Sequence, residues 1–70
     1  MDEKAIEKLI LETLQNEVSE KGNDGLPEDD LLRECSFASD LAEEIVSAVL
    51  EKMIERDQLT RSDDGIIALI

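Results

Sequence analysis

Leu59-Thr60-Arg61-Ser62-Asp63-Asp64-Gly65-Ile66-Ile67-Ala68-Leu69-Ile70 places two β-prone runs on either side of an Asp-Gly step. Such a step between such runs is a strong local hairpin signal, because glycine supplies the positive φ that a tight turn demands. The stretch therefore predicts an antiparallel pair turning near Asp63 to Gly65, and a small α+β fold rather than a helical bundle. Immediately upstream, Leu41, Ala42, Ile45, Val46, Ala48, Val49, Leu50, Met53 and Ile54 cover more than half of a helical wheel. A helix this apolar is packed on more than one side. Ser39 is a suitable N-cap for it, and the pattern carries it to about Asp57. Its remaining arc holds Asp40, Glu43, Glu44, Ser47, Glu51 and Glu55.

Two more helices precede this one. Leu26 is pushed towards an extended conformation by Pro27, which suits the first position of a helix whose opening turn is Glu28, Asp29 and Asp30. Leu31, Leu32 and Cys35 form the apolar side of that short helix, Ser36 to Ser39 end it, and Phe37 is expected to pack into the core at the following turn. Before it, Ile6, Leu9, Ile10, Leu14 and Val18 recur at spacings of three and four. Asp2 is the expected N-cap of this first helix, and Lys21-Gly22 its stop.

Composition narrows the function. The chain has 70 residues, enough for one domain spanning 1–70, and its 41% apolar content is too high for a disordered acidic tail. Nineteen acids against 7 bases give a net charge of −12, and every segment is net acidic, so no basic half hides behind an acidic one. Nucleic-acid affinity comes mostly from cations neutralising phosphates, and anionic membrane surfaces make the same demand. Both partners are disfavoured, whereas such a surface suits a basic protein partner, a high-salt cytoplasm or simple solubility. The longest apolar run is Ile66 to Ile70, too short to span a membrane, and no export signal follows Met1, so a cytoplasmic location is expected.

Catalysis is not expected. There is no His to serve Ser, Thr or Cys35 as a base, and a lone Cys without His excludes a thiolate–imidazole zinc site. Glu43/Glu44 and Asp63/Asp64 are sequence neighbours that do not face one another as a catalytic pair would. The calcium-loop spacing fails, since counting from Glu20 its twelfth position is Leu31. No Gly-rich phosphate cradle is present, so neither cofactor nor metal is expected. Cys35 is expected to be a small buried hydrophobe.

The order of helix, short extended segment, helix, turn, longer helix and hairpin resembles the winged helix-turn-helix superfamily. The resemblance covers almost the whole chain, is most specific in LEKMIERDQLTRSDDGIIAL (residues 50–69), and extends to GLPEDDLLREC (residues 25–35). A weaker resemblance, in length and in the helix–GLP–helix opening, is to the C-terminal winged helix of archaeal replicative helicases of the minichromosome-maintenance family. The resemblance implies three helices with a C-terminal β-hairpin wing, and makes residues 40–57 the recognition helix. A DNA reader presents Arg, Lys, Asn or Gln on that helix. Here the arc carries five carboxylates and a serine, and the wing's one cation, Arg61, lies beside Asp63 and Asp64. The expectation is a non-catalytic protein-interaction module in a replication or transcription assembly, meeting a basic partner through Asp40, Glu43, Glu44, Ser47, Glu51 and Glu55. The alternative is a DNA-binding regulator, dimeric or from a high-salt organism. A second candidate interface is the last strand, through Ile66, Ile67, Leu69 and Ile70, which with the broad apolar arc of the third helix leaves a homodimer open.

Overall fold

Helix α1 (Glu3–Lys21) opens the described chain, and β1 (Gly25–Pro27), α2 (Glu28–Ser39), α3 (Glu43–Glu55), β2 (Leu59–Arg61) and β3 (Ile66–Leu69) follow. The structure is a computed structural model that describes residues 3–70; the cap expected at Asp2 lies outside them. The three helices lie with a three-stranded antiparallel sheet of order β1-β3-β2. The last strand is thus the central one, pairing Leu26 with Ile67 on one side and Thr60 with Ala68 on the other.

One core joins all six elements. Ile6, Ile10 and Leu14 of α1 meet Leu31 and Cys35 of α2, four residues of α3, and Leu26, Leu59 and Ile67 of the sheet. Gly25 is required where β1 crosses β3, because a Cβ there would lie 2.2 Å from the Ile67 carbonyl oxygen. The hairpin forms where expected. Gly65 sits at φ +80°, its N–H donates to the Ser62 carbonyl at 3.0 Å, and the Ser62 hydroxyl accepts the Ile66 N–H at 3.1 Å. The Gly65 carbonyl then accepts the Glu28 N–H at 2.9 Å, tying the turn to the start of α2.

Several sequence expectations need correction. Pro27 is the N-cap of α2 (φ −56°, ψ 141°) and not its first helical residue, so the helix starts one residue later than expected, at Glu28. Ser39 does not cap the third helix: its hydroxyl donates to the Cys35 carbonyl at 2.7 Å and α2 runs on through it. Asp40 then turns the chain in the left-handed conformation (φ 58°), and α3 begins at Glu43 behind an extended Ala42 that offers no side-chain cap. At the other end α3 stops at Glu55, with Asp57 at φ 62° and the Asp57 and Gln58 N–H groups donating to Ile54 and Met53, a Schellman closure.

Phe37 is 90% exposed instead of buried. Because α2 continues to Ser39, Phe37 lies about 200° around the helix from Cys35, on the solvent side. Val18 is likewise exposed, and Glu17 takes the buried place beside it. A strict spacing of four from Ile6 to Val18 drifts about 40° per step around a helix, and by Val18 it has left the core face. Glu17 is held there by Asn23 Nδ2 at 2.8 Å and Lys21 Nζ at 3.5 Å.

Candidate interaction surface

The solvent face of α3 is acidic. Glu43, Glu44, Glu51 and Glu55 are exposed along it and Ser47 is half-buried. Asp40, expected on the same helix, belongs instead to the turn before it. Glu51 stands apart from the others, because Arg61 of β2 donates to its carboxylate and also to Glu28 Oε1 at 2.7 Å. One guanidinium thus joins α2, α3 and β2, and its pKa is raised, first by the hydrogen bond it donates to Glu51. A fork with fixed donors suits such a double contact. In the sequence Arg61 lies beside Asp63 and Asp64; the three-way bridge is invisible there because its partners are distant in the chain.

Lys52 of α3 and Arg56, its C-cap, turn away from the acidic face towards α1. Lys52 Nζ is 3.3 Å from Glu3, and Arg56 is 3.6 Å from Glu7. With Arg33 on Asp30 at 3.2 Å, all the arginines are engaged within the chain.

Beside this acidic stripe runs an apolar trough between α1 and α3, of about 400 Å³. Ile6, Ile45, Ala48 and Val49 floor it; Glu3, Glu44 and Lys52 rim it. The broad apolar arc of α3 is therefore only partly covered: Val46, Val49, Leu50 and Met53 are buried in the common core, while Ile45 stays 46% exposed. The trough was missed at the sequence level because which part of the arc α1 leaves open depends on how the two helices cross.

The last strand offers less surface than its composition suggests. Ile67 is fully buried, Leu69 packs against the core, and Ile66 is half-buried, which leaves Ile70 as the exposed residue. Cys35 is buried, with its Sγ 3.8 Å from Thr13 Oγ1, and desolvation pushes its thiol pKa up. That is the opposite of an activated thiolate.

Among the described residues no three His, Cys, Asp or Glu are grouped to hold a metal ion, and no helix is long and apolar enough to cross a membrane. Fold and surface together define a small α+β domain whose chemistry lies in an acidic helix face beside an apolar trough. Comparison of the chain with protein-family models, with curated proteins and with solved structures finds no match.

Proposed function

We propose that this chain is a winged-helix domain that works as a non-catalytic protein-interaction module, in the cytoplasm, in an assembly such as those of replication or transcription. Three helices followed by a hairpin support the winged-helix reading, with α3 in the place of the recognition helix and the β2–β3 turn in that of the wing. One observation carries the functional half. The face that a DNA reader would turn to the duplex presents Glu43, Glu44, Glu51 and Glu55, while Lys52, Arg56 and Arg61 are held by carboxylates of the chain itself. Phosphate contacts need cations free to displace counterions. A basic protein surface meets this arc without that requirement, and complementary charge speeds the encounter.

Titration of a labelled duplex at low salt, followed by anisotropy, tests the reading. Non-specific binders saturate at ~10⁻⁴ to 10⁻⁶ M, and no saturable rise is expected here. A rise in that range that weakens with salt favours the DNA-binding regulator instead. Reversal of Glu44 and Glu55 to Lys is the companion measurement, since Glu51 also serves the Arg61 bridge. It is expected to slow association with a basic protein such as lysozyme or a histone, with the circular dichroism unchanged.

A further inference from the structure

We propose that the trough between α1 and α3 receives one amphipathic helix of a partner protein, apolar on the face it inserts and rich in Lys and Arg on its flank. The proposal rests on the interaction-module reading above and adds the site and the shape of what binds there. The trough's lining is apolar at Ile6, Ile45, Ala48 and Val49, the buried Ile6 and Val49 lying beside the exposed Ile45 and Ala48. At about 400 Å³ it is small and lies open along the surface. A small molecule needs most of its area buried, so this shape suits side chains presented at helical spacing by a second helix.

Charge selects the occupant. Lys52, the trough's own cation, is occupied by Glu3 at 3.3 Å, which leaves Glu44 as the rim acid facing outward. Steps of four and seven along α3 carry the same side through Ala48 and Glu51 to Glu55, so an acidic stripe borders the apolar floor. A second copy of the chain fits badly. A twofold contact sets a patch against itself, so Glu44 and its stripe would meet their own images between two bodies of net charge −12. Nucleic acid meets the same carboxylates with its phosphates. A helix with Leu-like residues at i, i+4 and i+7 and Lys or Arg beside them satisfies both the floor and the stripe.

The probe is a fluorescein-labelled Leu/Lys peptide of about 18 residues, long enough to form a helix on binding. Its control has the same composition scrambled so that the leucines share no face. Anisotropy at near-physiological salt should show saturable micromolar binding of the amphipathic peptide, with the scrambled one about tenfold weaker or more. Ile45→Ser and Ala48→Gln change the trough at exposed positions; each should weaken the amphipathic peptide about tenfold while leaving the scrambled one unchanged. Phe37→Ser, on α2, should change neither.

Equal binding of the two peptides, insensitive to Ile45 and Ala48, overturns the trough while leaving the acidic interaction surface standing. Loss of binding with Phe37→Ser but not with the trough variants overturns it too, and moves the contact to the outer face of α2. If neither peptide binds, the reading on which the proposal rests falls with it.

Discussion

Phe37 and Cys35 show how a residue's fate hangs on its place around a helix. They stand two apart on α2, one 90% exposed and the other fully buried. Truncating a core Phe removes about 3–5 kcal/mol, whereas Phe37→Ser is expected to shift stability by no more than about 0.5 kcal/mol, measured by urea unfolding. A large loss would place the ring in the core after all. For Cys35 burial leads to a pH dependence with a definite sign. Its folded pKa is raised, so its contribution is complete below the ordinary thiol range near ~8.5. As pH climbs through that range the unfolded chain releases a proton that the folded thiol keeps, and stability falls. Urea midpoints between about pH 7 and 9.5 should decline more steeply for the native chain than for Cys35→Ala. In the native state the thiol should also resist iodoacetamide until denaturant is added.

Elements announced themselves in the sequence where their signals were local. The turn at Asp63 to Gly65, the stop at Gly22 and the extended Leu26 each depend on a few adjacent residues, and each stands in the structure. The junction between α2 and α3 did not, because Ser39 satisfies itself on the Cys35 carbonyl and Asp40 adopts a conformation that sequence assigns more readily to glycine. The acidic arc of α3 was legible from its wheel; the Arg61 bridge and the trough were not, since both exist only once elements distant in the chain are packed. The misplaced cap leads to a prediction. Ala42 already has the extended geometry of an N-cap (φ −65°, ψ 147°) with no side-chain oxygen to offer. Ala42→Ser should therefore stabilise the domain by about 1 kcal/mol in urea unfolding. At the hairpin the prediction is a loss. Gly65 has φ +80° and open space around it, so Gly65→Val should cost about 1–2 kcal/mol through conformation rather than collision. Gly65→Asn should retain more stability, because Asn tolerates the left-handed region.

For the whole molecule, charge governs the response to solution. The chain carries a net −12, and its described residues form a body of 29 × 24 × 18 Å with a radius of gyration of 10.9 Å. The Debye length at 0.1 M salt is about 10 Å, so screening reaches across the molecule. The ion pairs that tie α3 and β2 to their neighbours are largely exposed, and each is worth about 0–1 kcal/mol. Repulsion summed over the remaining acids is expected to exceed them, so the melting midpoint should rise from low salt to 1 M NaCl. A falling midpoint would make the bridges, Arg61 above all, the dominant electrostatic feature. A different consequence follows from the strand order. β3 is the last strand in the chain but lies between β1 and β2. During synthesis, then, the helices can begin to associate while the sheet has no member able to join the other two. β1 and β2 wait as unpaired edges until residues 66–69 clear the ribosome. Deleting those residues would not fray one border of the sheet; it would remove the strand on which both neighbours depend, and turn a folded domain into a client for chaperones.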